Sequence, residues 1–108
     1  MPRSLIVLAS LLCCWGLCQA DPAKPAPRAS GWFTAEEVAP NTWRIDDHGI
    51  ANVYLVIGTQ RALLVDTGAG AADLRGFAQS LTSLPLSVIN THGHPDHVGA
   101  NFQFGAIM

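Results

Sequence analysis

The chain has 108 residues, of which 49% are hydrophobic and 13% are charged, and its formal net charge is −2. This length and composition predict at most one globular domain. The small acidic excess gives no basis for expecting a nucleic acid or an anionic membrane as a partner.

The first twenty residues have the layout of a secretory signal peptide. Arg3 gives a basic start, an apolar run follows from Leu5 to Leu12, and small residues stand three and one positions before the end of the segment. We therefore expect cleavage after Ala20 and a secreted or periplasmic chain without a membrane partner. A membrane anchor is the alternative, and the shortness of the apolar run argues against it.

All three cysteines of the sequence belong to this segment. The predicted mature chain, residues 21–108, therefore has no disulfide and no thiolate ligand. Residues 21–30 form a leader in which prolines alternate with small residues, and such a leader adds little to a core. We expect the folded domain to occupy residues 31–108.

Short apolar runs separated by turn residues predict an antiparallel meander in the first half of this domain. Residues 43–45 are a short strand, and residues 46–49 are a turn by composition. Residues 50–57 are almost continuously apolar, which predicts a strand buried on both faces, and residues 62–65 are the next buried strand. His48 is most simply a turn residue, and contact with a substrate is the alternative.

Asp66 ends an apolar strand, and residues 66–70 (D-T-G-A-G) form a tight turn ahead of a helix. The glycines do not make a phosphate loop, because Asp73 stands where G-x-G-x-x-G needs its third glycine and no Gly-Lys-Ser/Thr follows. An acidic residue that ends such a strand needs hydrogen-bonding partners if it is buried. We predict that Asp66 supports the segment at residues 91–97, because carboxylates outside a metal's own ligand set orient metal-bound histidines.

An apolar stripe predicts a helix over residues 71–83, and Pro85 marks its end. Residues 86–90 are the strand that leads to the histidine-rich segment, and residues 98–102 begin a helix that leaves it. The stripe recurs at i, i+3, i+4 and i+7, at Leu74, Phe77, Ala78 and Leu81.

The segment from Thr91 to His97, T-H-G-H-P-D-H, holds three of the four histidines of the chain and one aspartate. Imidazole is the commonest protein ligand for zinc, and a carboxylate is a standard companion. In extended backbone the first two histidines point the same way, whereas Pro95 forces a change of direction before the last two donors. Two ligands on each side of a turn suit two metals with a bridging water. The candidate ligands are His92, His94, Asp96 and His97.

A catalytic metal site suits this segment better than a structural zinc site. Structural sites favour cysteine and are closed by four ligands, and no cysteine lies near the segment. Zinc is the expected cofactor, and iron and manganese are alternatives because imidazole and carboxylate ligands also suit them.

The motif H-x-H-x-D-H, followed by V-G-A-N, resembles the signature of the metallo-β-lactamase-fold hydrolases. The segment L-L-V-D-T-G at residues 63–68 is similar to the family's earlier strand-Asp-x-Gly motif. The segment N-V-Y-L-V at residues 52–56 is similar to the strand that precedes it. The resemblance covers about residues 38–104 and places both motifs in the family's order.

This resemblance implies an α+β fold, an αββα sandwich with a dinuclear and usually zinc-containing site. It implies that His92 and His94 bind the first metal. It assigns Asp96 and His97 to the second metal, with Asp96 as the catalytic candidate, and makes Asp66 a buried support residue.

The family's sites also need another histidine, a bridging aspartate and a last histidine, none of which follows His97 here. We therefore expect residues 31–108 to represent the N-terminal half of the sandwich, in a chain that is partial or needs a partner. The expected activity of an intact member is hydrolysis of a small-molecule substrate, of the β-lactam, ester or thioester type. A non-catalytic metal-binding module and an inactive truncated product are the alternatives.

Overall fold

The computed structural model describes residues 23–108. The predicted signal peptide at residues 1–20 and its cleavage site lie outside the described residues. Within the described range, every helix is too short or too polar to cross a membrane.

Six strands in sequence order form one sheet. They are β1 (Arg28–Ser30), β2 (Phe33–Ala39), β3 (Thr42–Asp47), β4 (Ala51–Ile57), β5 (Ala62–Val65) and β6 (Leu86–Ile89). Neighbours from β1 to β5 are antiparallel, which confirms the predicted meander, and β6 runs parallel to β5. The last three residues of the predicted leader form the edge strand β1 of this sheet.

The β4 strand is buried on one face only, so the prediction of a strand buried on both faces was wrong. Val53 and Leu55 are fully buried, whereas Tyr54 and Val56 are 39% and 41% exposed. Nearly all side chains of β4 are apolar on both faces, so the sequence carries no alternation that would reveal this difference.

The turn after β3 begins later than its composition predicts. Asp46 and Asp47 still pair with β4, opposite Asn52 and Ala51. The chain reverses at His48 and Gly49, whose φ angles of 52° and 78° lie in the left-handed region that tight turns require.

The predicted helix at residues 71–83 is real but shorter, and α1 spans Leu74–Leu81. Asp73 caps it, because its side chain accepts a 2.9 Å hydrogen bond from the backbone N–H of Gly76. Leu74, Phe77 and Ala78 are buried, as the stripe predicts. This helix is the crossover that a parallel β5–β6 pair requires.

The helix after β6 begins earlier than residue 98. His94 is the N-cap of a short helix, α2 (Pro95–Val98), and Pro95 takes the first position, where a missing N–H costs nothing. Asp96 and His97 therefore belong to the helix instead of preceding it. A 3₁₀ helix follows at Asn101–Gln103.

The core lies on the face of the sheet that α1 covers. Each large side chain fully buried there contributes about 1.5–3 kcal/mol to stability. Its largest apolar side chains with less than 2% exposure are Ile45, Val53, Leu55, Leu64, Leu74 and Val88.

Candidate metal centre

Three turns meet at one edge of the sheet. Because β3 and β5 are both antiparallel to β4, and β6 is parallel to β5, these three strands point the same way. The residues at their carboxyl ends are therefore neighbours in space: Asp47, the last residue of β3, and Asp66 and Asn90, which directly follow β5 and β6. We call residues 66–70 the support turn and residues 91–97 the metal loop.

The metal loop brings its three histidine rings together. The ring centroid of His92 lies 4.7 Å from that of His94 and 4.1 Å from that of His97. His92 and His94 are exposed, while the side chain of His97 is 24% exposed. The side chain of Asp96 is 45% exposed, and its Oδ2 atom lies 3.5 Å from Nε2 of His97. Within residues 23–108, no three His, Cys, Asp or Glu side chains converge as ligands of one ion.

Asp66 lies beneath this loop and binds it through both carboxyl oxygens. The residue is 4% exposed, and its φ of 67° is in the left-handed region. Oδ1 accepts a 2.7 Å hydrogen bond from the backbone N–H of Thr91. Oδ2 accepts from the Thr91 hydroxyl at 2.7 Å and lies 2.9 Å from Nδ1 of His97. The structure thus places Asp66 where the sequence predicts a supporting carboxylate.

Asp66 is held in its ionised form. Burial opposes the charge and raises the pKa. Hydrogen bonds from the Thr91 backbone, the His97 ring and the Thr91 hydroxyl outweigh burial and hold the pKa of Asp66 below its usual value. A carboxylate can only accept hydrogen bonds, so each of these partners must donate.

This requirement determines the tautomer of His97. Its Nδ1 must carry the proton that is donated to Asp66, so in the neutral ring Nε2 carries a lone pair. Nε2 makes no hydrogen bond within residues 23–108 and faces the carboxylate of Asp96. The ring therefore presents to its surroundings the nitrogen that a metal needs.

Asp66 also determines the tautomer of His92, through Thr91. The Thr91 hydroxyl has one proton, which it donates to Asp66. Its oxygen lies 2.8 Å from Nδ1 of His92, so Nδ1 of His92 must donate to it. Nε2 of His92 is then left with a lone pair as well. One buried carboxylate thus determines the tautomers of two histidines, one on each side of Pro95.

A network of small polar side chains holds the backbone of α2. The carbonyl of His97 accepts hydrogen bonds from the backbone N–H of Thr67 at 2.9 Å and from Nδ2 of Asn90 at 3.2 Å. The Thr67 hydroxyl donates to Oδ1 of Asn101 at 2.8 Å, and Nδ2 of Asn101 donates to Oδ1 of Asn90 at 2.8 Å. Sequence reasoning did not find Thr67, Asn90 or Asn101 as site residues. Their signals in the sequence were that Thr67 and Asn101 lie inside the L-L-V-D-T-G and V-G-A-N motifs and that Asn90 ends the predicted strand at residues 86–90.

The support turn and α2 are in backbone contact through glycines. A Cβ atom at Gly99 would overlap the carbonyl of Ala69, and one at Gly70 would overlap the carbonyl of Gly99. The backbone N–H of Gly99 donates to the carbonyl of Gly68 at 2.8 Å. The G-A-G sequence of the support turn thus serves close packing rather than phosphate binding.

The comparison of this chain with known families agrees with this geometry. The model of the metallo-beta-lactamase superfamily matches residues 46–106, which is more than half of the chain. The chain belongs to the metallo-beta-lactamase superfamily. Members of this superfamily are generally hydrolytic enzymes that bind divalent metals. The matched residues contain both the support turn and the metal loop.

A solved member of the superfamily has the same fold. It is the crystal structure of a metallo beta lactamase from Erythrobacter litoralis with beta mercaptoethanol in the active site, which is 21% identical in sequence. It superposes with a TM-score of 0.58 over 71% of this chain. The chain spans 39% of the length of that protein. A search of curated proteins finds no match. The α+β fold of the superfamily is thereby confirmed.

The donors of the metal loop fit the divalent metal that the superfamily usually binds. His92 and His97 both present an unprotonated Nε2, and Asp96 adds a half-exposed carboxylate next to His97. The ligand roles of these residues and of His94, two on each side of Pro95, stay predictions, since no three of the described side chains converge as ligands of one ion.

His48, the remaining histidine, lies outside the metal loop. Its ring stacks on Trp32, with centroids 4.1 Å apart and planes inclined by 17°. The structure places His48 in the β3–β4 turn, which is the simpler of its two predicted roles. Its contact with a substrate stays a prediction.

Proposed function

We propose that the chain serves metal-dependent hydrolysis with zinc as the cofactor. The observation that carries this proposal is the double hydrogen bonding of Asp66 to Thr91 and His97. That hydrogen bonding leaves His92 and His97 each with an unprotonated Nε2 that can bind a metal. A bound pair of zinc ions would supply an activated water and polarise a carbonyl oxygen.

The residues divide into two donor pairs in this proposal. His92 and His94, whose rings lie 4.7 Å apart, hold one ion. Asp96 and His97 hold the other, because Oδ2 of Asp96 and Nε2 of His97 are 3.5 Å apart on the same helix. We also assign Asp96 the task of orienting the attacking water through its carboxylate. Asp66 keeps both histidine rings in the tautomers that metal binding needs.

The proposed substrate is a small molecule with a carbonyl-type centre, of the β-lactam, ester or thioester type. Exposure of the metal loop at the edge of the sheet leaves room for such a molecule. We also propose export, on the basis of the signal-like layout of residues 1–20. In this proposal the reaction takes place outside the cytoplasm, on a substrate that reaches that compartment.

Metal content tests the proposal directly. The full chain is purified without added metal, and its zinc is measured by inductively coupled plasma mass spectrometry. The variants are His94→Ala, in the metal loop, and His48→Ala, a histidine of the same chain outside the loop. We expect bound zinc in the unchanged chain and in His48→Ala, and its loss in His94→Ala.

Equal zinc in all three proteins, or none in any of them, would contradict the proposal. The zinc-loaded chain is then assayed with a chromogenic cephalosporin, an aryl ester and a thioester. Turnover of any of the three that disappears in His94→Ala and persists in His48→Ala supports hydrolysis and identifies the substrate type.

A further inference from the structure

We infer that Asp47 is a positioning residue for the metal loop and acts on it through the support turn. The inference rests on the proposed function, because the loop's task is taken to be metal binding. Asp47 is the last residue of β3 and is 1% exposed. Its Oδ1 accepts a 2.6 Å hydrogen bond from Nε1 of Trp32, and its Oδ2 accepts a 2.7 Å hydrogen bond from the backbone N–H of Ala69.

Burial of this carboxyl group costs free energy, and no counter-ion among the described residues offsets that cost. In the described part of the chain, the basic side chains within 4 Å of a carboxylate are Arg44, beside Glu36, and His97, beside Asp66 and Asp96. Asp47 has only its two N–H donors. An apolar side chain would fill a purely structural position at the end of an apolar strand at lower cost. The presence of a carboxyl group at position 47 therefore needs a specific explanation.

We find this explanation in the backbone conformation of the support turn, which Asp47 anchors. Asp66, Gly68 and Gly70 all have left-handed backbone, with φ angles of 67°, 69° and 82°. Three such residues in a stretch of five need anchoring by the surrounding structure. The bond from Ala69 to Asp47 lies between the second and third of them. A Cβ atom at Gly68 would overlap Oδ2 of Asp47, so the turn is packed directly on this carboxyl group.

Two backbone hydrogen bonds link the support turn to the metal loop and to Gly99, the residue after α2. The carbonyl of Gly68 accepts from the N–H of Gly99 at 2.8 Å, and the N–H of Thr67 donates to the carbonyl of His97 at 2.9 Å. The same turn carries Asp66, whose carboxylate lies 2.9 Å from Nδ1 of His97. Every step from Asp47 to the ring of His97 is thus a hydrogen bond or a backbone contact.

The test compares Asp47→Asn with two matched variants in the full chain. Asp46→Asn makes the same change one residue earlier, where the side chain serves only the turn at Gly49. Trp32→Phe keeps an aromatic ring but removes the other donor to Asp47. Two readouts are used: the ring ¹⁵N signals of His97 in the metal-free protein at one pH, and the Kd for zinc from competition with a chromophoric chelator.

We expect Asp47→Asn to shift the ring signals of His97 and to raise the Kd for zinc about tenfold or more, as loss of an orienting residue does. Asp46→Asn and Trp32→Phe should leave the ring signals in place and the Kd within about twofold. Unchanged His97 signals in Asp47→Asn, or an equal shift in Trp32→Phe, would overturn the inference. If even the unchanged chain binds no zinc, the proposed function fails, and the metal-free ring signals still decide the role of Asp47.

A measurement on the unchanged chain covers the case in which Asp47→Asn does not fold. If the support turn and α2 move as one unit, the amides of Ala69 and Gly99 exchange with deuterium through the same opening, with equal protection. Markedly different protection of these two amides would overturn the inference without any variant.

Discussion

The metal loop and the support turn lie at the same edge of the sheet, but their side chains have opposite surroundings. His92 and His94 are exposed, whereas Asp66 and Thr67 are 4% and 1% exposed. The metal loop carries the candidate metal ligands, and the support turn carries the side chains that orient them. The candidate metal ligands thus lie at the surface, while their orientation depends on part-buried hydrogen bonds between residues about 25 to 35 positions apart in the chain.

Replacement of Asp66 should have the largest effect of any single change in the two regions. Asp66→Ala leaves the N–H of Thr91 and Nδ1 of His97 without their acceptor and puts alanine at a φ of 67°. We expect a loss of about 3 kcal/mol in the free energy of unfolding, measured by urea denaturation. Asp66→Asn, which tolerates the left-handed backbone and keeps one oxygen, should lose clearly less. Equal losses would mean that the hydrogen bonds to the loop contribute little.

Close packing between the two regions should account for the next largest effect. Gly99→Ala puts a Cβ atom into the carbonyl of Ala69, so we expect a loss of about 2 kcal/mol in stability. Gly93→Ala is the control, because a Cβ atom there meets nothing within 4 Å. It should change stability by about 0.5 kcal/mol at most. Similar melting temperatures for the two variants would contradict the close contact between α2 and the support turn.

Thr91 connects the two regions, so its hydroxyl should affect metal binding more than stability. Thr91→Val keeps the shape and the backbone bond to Asp66 but removes the group that orients His92. We expect a stability loss of about 1 kcal/mol and a zinc Kd raised about tenfold. Thr91→Ser retains the hydroxyl and should bind zinc almost as the unchanged chain does. An unchanged zinc Kd for Thr91→Val would contradict the claim that Asp66 determines the tautomer of His92 through the Thr91 hydroxyl.

An ion pair remote from both regions should have the smallest effect. Glu36 and Arg44 pair across β2 and β3, with 41% and 43% of their side chains exposed. Glu36→Gln should change stability by about 0.5 kcal/mol or less, because exposed pairs are well solvated. It should leave the zinc Kd unchanged. A loss comparable to that of Gly99→Ala would show that stability is not concentrated at the site edge.

The position of the metal loop and the supporting contact of Asp66 could be predicted from the sequence because their signals are local. Four ligand-type residues lie within six positions in the metal loop, and Asp66 directly ends an apolar strand. The helix α1 was visible through its 3.6-residue stripe. The antiparallel meander of β3, β4 and β5 followed from turn residues between short apolar runs.

The remaining parts of the site depend on contacts that no local pattern records. Asp47 follows Asp46 in a stretch whose composition indicates a turn, yet it is buried against Ala69, 22 residues away. Thr67 and Asn101 are 34 residues apart in the chain. The one-sided burial of β4 was hidden for another reason, since its exposed face is nearly as apolar as its core face.

The central claim is that Asp66 prepares Nε2 of His92 and His97 to bind a metal. The most direct test is a zinc titration of the full chain, followed by long-range ¹H–¹⁵N NMR of the histidine rings. The account predicts protonated Nδ1 in both rings before zinc is added, and a large shift of both Nε2 signals on binding, with His48 unchanged. Protonated Nε2 in the metal-free rings, or zinc-dependent shifts at His48 alone, would contradict it.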